Sequence, residues 1–434
     1  MSTSGHSKRS IGPAIIVAAV VCGPGSILTS SNVGAQFGYD ALWVLVFAAV
    51  LMVGMVTLAA RIGVACEHSP CEELARRLGR PIAAAVGVVI FVVIACFQSS
   101  NNIALVAGLE PLLSSREGTS LGPTAALTIL ALANVFCIAS IYVSRTLYGR
   151  VEFLMKALVL IMVAAFAINC IAARPSIAAA LKGLIPGLPP GVEGFFAKRV
   201  DGEVVDSLWS VQALMATTFS VAGAFYQAYL VREKGWTIHE TRRGLLDSVV
   251  GVGVLCGITS LIIMTSAATF FGTKEASQLG SVGDVARQLE PFFGAWARIV
   301  FSIGIFAGAF SSFLVNAMIG GAVLSDGMGL GSRMSERWPR HLTTLALLAG
   351  MVVAVLAVST EMSRVRLIEF AQALTVLGIP ALALALLYLG TRSEVRKQGK
   401  IRGWVLGLGT IGFLLSCALA ARTAWKLYLS QLSS

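Results

Sequence analysis

The chain has 434 residues, of which 56% are hydrophobic and 13% are charged, with a mean hydropathy of +0.82. A water-soluble surface cannot sustain that composition, which excludes a soluble enzyme or a soluble binding domain. The net charge of +11 comes from basic residues scattered over short polar segments, which argues against a nucleic-acid partner. The composition predicts an all-α integral membrane protein whose first partner is the lipid bilayer.

Apolar runs of about twenty residues recur along the chain, each long enough to cross roughly 30 Å of hydrocarbon. Residues 1–11 are polar and precede the first run, so we expect a short N-terminal tail without a cleavable signal peptide. The pattern predicts about eleven spans, at 12–36, 41–64, 82–109, 121–143, 151–173, 208–230, 244–271, 291–325, 342–358, 367–389 and 403–428.

Basic residues are about twice as frequent in one set of loops as in the other, and the richer set is expected in the cytoplasm. This predicts a plasma-membrane protein with a cytoplasmic N-terminus and an outer C-terminus. Residues 12–389 would form the core, and residues 390–434 a cytoplasmic loop plus the eleventh helix. Cys66 and Cys71 flank His68 in "CEHSPC", but no second ligand pair follows, so this is not a strong zinc signature.

The first span is interrupted by "CGPGS", in which Gly23, Pro24 and Gly25 precede Ser26. Proline removes a backbone donor, and each glycine weakens a helix by about 1 kcal/mol. In hydrocarbon, a broken backbone is tolerated only where it is buried in protein or lines a cavity. The motif therefore predicts a helix opened around a binding cavity.

The sixth span carries "FSVAGAFYQAY" at residues 219–229, where Ser220, Gly223 and Gln227 interrupt the apolar run. Breaks at matching positions of two halves indicate the binding site of a secondary transporter. Five spans separate the two breaks, an odd offset that inverts topology, so 12–173 and 208–389 are predicted inverted repeats. The alternative is an unbroken sixth helix, whose small residues serve close packing.

Polar residues inside other spans are candidates for the permeation path. Asn32 and Gln36 lie one turn apart after the first break, and Asn101 and Asn102 belong to the densest polar cluster within any span. A closed hydrogen-bonded patch in the core is the alternative for that cluster. Glu369 could border the cavity, since it is one turn from Gln372.

Several segments resemble the Nramp family (natural-resistance-associated macrophage proteins). "GPAIIVAAVVCGPGSILTSSNVGAQFGYDALW" is similar to the family's first span, "LAARIGVA" with "CEELARRLG" to its second, and "GRVEFLMKALVLIM" with "ALKGLIPGLPP" to its fifth. "FAQALTVLGIPALALALLYL" resembles its tenth. The resemblance implies a LeuT-type fold, built from five-plus-five inverted repeats with helices 1 and 6 broken, and proton-coupled Mn²⁺/Fe²⁺ transport.

The residues that carry the family's metal chemistry differ in this chain. The aspartate and asparagine of the first break become Gly23 and Ser26, and a histidine of the sixth span becomes Gln227. The Met-Pro-His-Asn ligand motif falls on 220–223, and the tenth-span glutamine persists as Gln372. The acidic residues of the family's proton route fall on Asn102 and Leu105.

The resemblance and the breaks together give the predicted site. The candidate substrate-binding residues are Gly23, Pro24, Gly25, Ser26, Ser220, Ala222, Gly223, Gln227 and Gln372, and the candidate path residues are Asn32, Gln36, Asn101 and Asn102. No cofactor is expected, and the sequence assigns neither a metal nor an oligomeric state.

The neutral site predicts a transporter of a small ion or solute, with a partly hydrated cation such as Mg²⁺ favoured over proton-coupled Mn²⁺ or Fe²⁺. Three alternatives stay open: a LeuT-type transporter of a small organic solute, a channel, and a non-transporting, sensor-like homologue. An enzyme is not expected, because the spans carry no catalytic motif.

Overall fold

The structure is a computed structural model that describes residues 23–113, 121–143, 157, 160–161, 163–189, 192, 194–200, 203–277, 279, 281–358 and 364–431. The predicted N-terminal tail and residues 12–22 of the first span lie outside these ranges. So do residues 151–156, 158–159 and 162 of the fifth span.

The described residues are mostly helical, and the chain alternates long apolar helices with short connecting helices. The first half contains α1 (Pro24–Phe37), α2 (Leu42–Ala65), α3 (Pro70–Leu78), α4 (Arg80–Leu113), α5 (Pro123–Val143), α6 (Val163–Ala173) and α7 (Ile177–Lys182). A small antiparallel hairpin follows, formed by β1 (Lys198–Val200) and β2 (Glu203–Val205).

The second half repeats the pattern of long helices, two of which are divided. It contains α8 (Trp209–Thr218), α9 (Val221–Glu233), α10 (Thr241–Phe270), α11 (Val282–Ala286), α12 (Glu290–Phe293), α13 (Ala297–Gly327), α14 (Arg337–Val358), α15 (Arg364–Leu374), α16 (Ile379–Thr391), α17 (Ser393–Gln398) and α18 (Gly403–Gln431). Short 3₁₀ turns lie at Ile238–Glu240, Lys274–Ser277, Arg287–Leu289, Gly294–Trp296 and Thr375–Gly378.

Nine segments of the described chain are long and apolar enough to cross a membrane, and they match nine of the predicted spans. They are Leu42–Ala65, Arg80–Leu113, Pro123–Tyr142, Trp209–Glu233, Gly244–Phe270, Val282–Gly327, Arg337–Ala357, Arg364–Thr391 and Gly403–Gln431. The first and fifth predicted spans are described only in part, so the count of eleven stays a prediction.

Large apolar side chains cover the outside of the helix bundle. Leu132, Val135, Ile171 and Leu356 each expose more than 60% of their surface. Water would penalise so many exposed apolar groups, whereas lipid tails accommodate them. The apolar residues of the spans therefore serve both the core and the lipid-facing surface.

Both sequence breaks coincide with helix ends among the described residues. Helix α1 begins at Pro24, and Gly23 before it is extended, with φ −94° and ψ −177°. Proline suits the first helical position because the missing N–H would have no partner there. The sixth span breaks at Phe219 and Ser220, which separate α8 from α9.

The position of the second break differs in detail from the sequence prediction. Gly223 and Gln227 lie inside the continuous helix α9 rather than in the gap. The physical reason is the Ser220 hydroxyl, which accepts a hydrogen bond from the Gly223 N–H at 3.4 Å and so starts the new helix. The tenth span, predicted as one helix, is likewise divided by the 3₁₀ turn at Thr375–Gly378.

Candidate functional site

A small polar cavity lies where the two breaks meet. Its volume is about 20 Å³, which is room for about one water molecule. Its lining residues come from both breaks and from helices α4, α13 and α15. They are Gly23, Gly25, Ser26, Phe97, Asn101, Thr217, Ser220, Ser312, Asn316 and Gln372.

The absence of side chains at two glycines lets neighbouring helices approach the first break closely. A Cβ atom on Gly25 would overlap the side-chain amide of Gln372, and one on Gly23 would lie 2.8 Å from the Ser312 hydroxyl oxygen. Close packing at this site therefore favours glycine over any larger residue at both positions. The Gly-Pro-Gly motif opens the helix and also makes room for Gln372.

The Gln372 side chain lies against the first break with its amide buried. Its nitrogen donates a hydrogen bond to the Ser100 hydroxyl at 2.9 Å. Its oxygen has no hydrogen-bond partner among the described residues, although the side chain is 97% buried, with 3% exposed. An unpartnered buried acceptor costs about 1–3 kcal/mol, and a bound cation or water would satisfy it.

The Asn101 amide is oriented by a chain of hydrogen bonds. The Gln98 nitrogen donates to the Phe313 carbonyl at 2.5 Å, and the Gln98 oxygen accepts from the Asn101 nitrogen at 3.1 Å. The Asn101 oxygen is then left facing the first break, 3.8 Å from the place where a Cβ on Gly23 would lie. The Asn101 oxygen is thus an amide acceptor beside the cavity.

No ionisable side chain belongs to the described lining of the cavity. Among the described residues there is also no group of three His, Cys, Asp or Glu side chains that could hold a metal. The site therefore offers hydroxyl, amide and backbone oxygens, which are the ligands that Mg²⁺ and Ca²⁺ accept.

Of the thirteen predicted site residues, nine for binding and four for the path, six line the cavity. Of the binding set, Gly23, Gly25, Ser26, Ser220 and Gln372 line it, and of the path set Asn101 does. Pro24 is the first residue of α1, and Ala222, Gly223 and Gln227 are buried in α9 outside the described lining.

Asn102 belongs to a hydrogen-bonded patch between helices rather than to the cavity lining. Its nitrogen donates to the Gln98 carbonyl at 2.8 Å, and its oxygen accepts from the Asn134 nitrogen at 2.7 Å. Asn102 is fully buried. The hydrogen bond between Asn134 and Asn102 joins α5 to α4. For Asn102, this agrees with the alternative given above, a closed hydrogen-bonded patch in the core.

Sequence reasoning missed four lining residues: Phe97, Thr217, Ser312 and Asn316. Ser312 and Asn316 are four residues apart on α13, which places both on one helical face. A polar pair at this spacing within an apolar span was the available signal. Thr217 lies in the last turn of α8, directly before the second break.

One end of the site is closed by buried polar contacts. Asn32 on α1 donates to the Glu369 carboxylate on α15 at 2.6 Å, and Glu369 is 5% exposed. The nearby ion pair between Arg364 and Glu110 joins α15 to α4 at 2.5 Å. Gln36, the remaining path residue, is exposed at the far end of α1.

A second, wider cavity of about 760 Å³, called the vestibule below, is lined in part by Tyr226 and Tyr229 of α9. Leu314 and Met318 of α13 also line it. Each lies two residues from Ser312 or Asn316 of the small cavity, so the two spaces adjoin opposite faces of α13. The rim of the vestibule carries Arg232, Arg333 and other polar residues. Charge asymmetry predicts that this is the cytoplasmic side.

The buried carboxylate of Asp326 forms hydrogen bonds with residues that line the vestibule. Asp326, at the end of α13, accepts hydrogen bonds from the Ser69 hydroxyl at 2.6 Å, the Cys71 N–H at 3.2 Å and the Tyr229 hydroxyl at 2.7 Å. These contacts join α13 to α3 and α9. Asp326 is thus a fully bonded structural anion.

The two cysteines around His68 have the properties of neutral thiols. Burial raises the pKa of Cys66 to about 11, and Glu73 adds to the shift. Burial also raises the pKa of Cys71. The raised pKa values favour the protonated thiol form at neutral pH.

A buried polar cavity at the ends of interrupted helices, within a bundle of helices long and apolar enough to cross a membrane, is typical of a membrane transporter of the broken-helix class. The chain matches the model of the natural resistance-associated macrophage protein-like (Nramp) family over residues 14–426. It therefore belongs to the Nramp family, whose members are transporters and not enzymes.

Individual relatives agree with this assignment. The chain is 25% identical over 412 residues to the divalent metal cation transporter MntH of Chromohalobacter salexigens, covering 94% of this chain and 89% of the relative. It is 26% identical over 389 residues to MntH of Yersinia pestis, covering 88% and 86%.

A solved structure has the same fold. The manganese transporter of Eremococcus coleocola superposes with a TM-score of 0.74 at 18% sequence identity, covering 97% of this chain and 87% of that chain. The predicted all-α, LeuT-type membrane fold is confirmed.

Proposed function

We propose that this Nramp protein carries a divalent cation that keeps most of its water shell, with Mg²⁺ as the first candidate. The relatives named above are divalent metal cation transporters, which supports a cation as the substrate. The observation that carries the proposal is the neutral cavity, whose described lining offers hydroxyl and amide groups, such as those of Ser26, Ser220 and Asn101, and no ionisable side chain.

The energetics of dehydration favour a hydrated ion. Removing a divalent ion from water costs far more than several kcal/mol, and carboxylate ligands normally offset much of that cost. Gly23 and Ser26 supply no carboxylate. Mg²⁺ dehydrates reluctantly and is commonly bound with several waters retained, so outward-facing water hydrogens could be held by neutral oxygens such as those of Ser26 and Asn101.

The same cavity argues against the family's usual proton-coupled Mn²⁺ or Fe²⁺ transport. Soft ligands such as methionine favour those metals over Mg²⁺, and the described lining contains none. A proton route needs a titrating group, and the described cavity lining offers none. We place the protein in a plasma membrane, with the vestibule facing the cytoplasm.

Reconstituted proteoliposomes test the proposal directly. We expect saturable Mg²⁺ entry, followed with a fluorescent indicator, at a rate that does not change when an inward proton gradient is imposed. Gln372→Ala should remove most of the saturable entry, whereas Gln398→Ala, at an exposed position on α17, should not.

Other outcomes reject the proposal in different ways. Saturable Mn²⁺ entry driven by the proton gradient would mean that neutral oxygens suffice for the family's usual chemistry. Entry that grows linearly with concentration would indicate a channel. Absence of flux for both ions would favour an organic solute or a non-transporting role.

A further inference from the structure

The segment between the two predicted repeats exposes large apolar side chains although it does not cross the membrane. This linker, residues 174–189, 192 and 194–200, is not part of any of the nine membrane-crossing segments of the described chain. Five of its apolar residues expose more than half of their surface. They are Ile177, Leu181, Ile185, Leu188 and Phe196, called the apolar set below. Contact with water would be unfavourable for so many apolar side chains.

Helix α7 of the linker presents its part of the apolar set on one face. Ile177 and Leu181 are four residues apart and so share a face, whereas Ala180 is buried. Lys182, in the last turn, is exposed. An exposed apolar face next to a basic residue is the pattern of a helix that lies in the plane of a membrane surface.

Two tryptophans attach the linker to one end of the helix bundle. The indole N–H of Trp43, in the first turn of α2, donates to the Gly187 carbonyl at 2.9 Å. The indole N–H of Trp425, near the end of α18, donates to the Ala197 carbonyl at 3.2 Å. Tryptophan favours the interface between membrane and water, because its ring is apolar and its N–H is polar.

Helix α18 indicates how far from the membrane centre this end of the bundle lies. Trp404 and Trp425 each expose more than 40% of their surface and are twenty-one residues apart. At 1.5 Å per residue they are about 32 Å apart along the helix axis. The hydrocarbon core is about 30 Å thick, so this spacing is the one expected for an indole at each interface. Ala197, bonded to Trp425, then lies at an interface as well.

Other contacts hold the linker backbone against the bundle. The Arg422 side chain of α18 donates to the Phe195 carbonyl at 2.6 Å. The Ser176 N–H donates to the Tyr39 hydroxyl, between α1 and α2, at 3.2 Å. The backbone is thus bonded to spanning helices at several points, while the side chains of the apolar set stay exposed.

We propose that the linker lies in the interface of the phospholipid bilayer, with the apolar set inserted among the upper parts of the acyl chains. The exposed apolar surface of the linker then continues the lipid-facing surface of α18, where Ile411 and Leu414 are exposed. Lys182 and Arg199 are also exposed, and such long basic side chains can reach lipid phosphates. The inference goes beyond the proposed function, since it does not depend on the transported ion.

Fluorine NMR of the full chain in phosphatidylcholine nanodiscs tests this position. Trifluoromethylphenylalanine in place of Phe196 gives one signal, which is broadened by nearby paramagnetic probes. Two probes are lipids with a doxyl group near the headgroup or at the chain end, and the third is a gadolinium chelate in water. We expect the near-headgroup lipid to broaden the signal at least about fivefold more than the chain-end lipid, because an interfacial element inserts only about 5–10 Å. The chelate should broaden it less than the near-headgroup lipid.

The same amino acid at Phe136 and Phe225 provides matched controls. Phe136 is exposed near the middle of the spanning helix α5, so the chain-end lipid should broaden its signal most. Phe225 is completely buried in α9, so all three probes should affect it least. The two positions calibrate the response to depth and to burial within the protein.

Three results at Phe196 would overturn the inference. Broadening mainly by the chelate would place the linker in water, and broadening mainly by the chain-end lipid would place it deep in the membrane. Absence of broadening by all three probes would mean that protein, such as a second copy of this chain, covers the surface. If the Phe196 variant does not fold, the same replacement at Leu188 decides. Mg²⁺ entry is not measured, so failure of the proposed function leaves this result unaffected.

Discussion

The Asn32 side chain on α1 donates a 2.6 Å hydrogen bond to the Glu369 carboxylate on α15, and both residues are buried. The two helices approach each other again at Gly25 and Gln372. Asn32 and Gly25 are seven residues apart, and so lie on one face of α1. The seam between α1 and α15 therefore extends from the cavity at Gly25 to the hydrogen bond between Asn32 and Glu369.

The first prediction concerns this seam. Thr29 lies between Gly25 and Asn32 on α1 and is completely buried, so a cysteine introduced there reports opening. We expect Glu369→Ala to raise the labelling rate of Thr29→Cys by a membrane-impermeant maleimide about fivefold or more, since losing one such contact is worth about 1–3 kcal/mol.

Glu369→Gln is the matched control, because its side-chain oxygen can still accept the hydrogen bond from Asn32. It should keep Thr29→Cys protected. Equal labelling in the alanine and glutamine variants would show that the hydrogen bond does not hold the seam closed. The same protein without the introduced cysteine corrects for labelling of native cysteines.

The second prediction concerns the space at Gly25. Because a Cβ there would overlap the Gln372 amide, Gly25→Ala should displace that amide and remove most of the saturable Mg²⁺ entry. Gly253→Ala is the control, since nothing lies within 4 Å of a Cβ at that position in α10. Alanine there should stabilise the helix by roughly 0.5–1 kcal/mol and leave uptake unchanged.

The first helix break could be predicted because helix breaks are encoded locally. Glycine and proline at 23–25 interrupt a helix whatever surrounds them, and α1 does begin at Pro24. The tertiary position of Gln372 beside Gly25 was accessible only through the family resemblance, since 347 residues separate the two in the chain.

The orientation of polar side chains could not be predicted in the same way. Asn101 and Asn102 are adjacent and chemically identical, yet one lines the cavity and the other bonds Asn134. Successive residues of a helix point about 100° apart, so which one faces the cavity depends on the placement of neighbouring helices. The exact position of the second break, at Phe219 and Ser220 rather than at Gly223 or Gln227, was similarly hidden, because neither residue is a strong helix breaker.

The third prediction concerns the Asp326 anchor. Tyr229→Phe removes one hydrogen bond to a charged group, which is worth about 1.5–3 kcal/mol of folding stability. Asp326→Ala should cost more, because it leaves the Ser69 and Tyr229 hydroxyls and the Cys71 N–H without their partner. Thermal unfolding in detergent measures both.

Tyr226→Phe is the control for the tyrosine substitution. Tyr226 stacks on Tyr229 with ring centroids 5.8 Å apart, so phenylalanine preserves the stacking. We expect Tyr229→Phe to lower the melting temperature clearly more than Tyr226→Phe. Equal shifts would mean that the bond to Asp326 contributes little.

The fourth prediction concerns the pH dependence of thiol reactivity at Cys66. Burial raises the pKa of this thiol from 9.0 to about 11, and only the thiolate reacts with maleimides. At neutral pH the thiolate fraction should therefore be about a hundredfold below that of an unperturbed cysteine. The rate should rise about tenfold per pH unit until the pH approaches the pKa.

Mass spectrometry of labelled peptides, compared between folded protein and protein unfolded in detergent, measures this rate at Cys66. A folded-state rate equal to the unfolded-state rate at pH 7 would contradict the shift. Cys71, whose pKa burial also raises and whose side chain is completely buried, should react more slowly still.

The last prediction reintroduces a carboxylate into the neutral cavity. At position 23 the family resemblance places an aspartate, and the new side chain would point toward Ser312 and the Asn101 oxygen. The Ser312 hydroxyl oxygen would lie only 2.8 Å from the Cβ atom. Gly23→Asp should therefore be combined with Ser312→Ala, which removes that oxygen.

We expect the double variant to bind Mn²⁺ at least about tenfold more tightly than the wild type, because an added carboxylate offsets part of the cost of dehydration. Isothermal titration with Mn²⁺ and Mg²⁺ measures the change, with Ser312→Ala alone as the control. Gly23→Asn is the neutral counterpart, similar in size to aspartate, and should not gain Mn²⁺ affinity. If Gly23→Asn gains as much as Gly23→Asp, geometry rather than charge limits the site, and the argument from missing carboxylates fails.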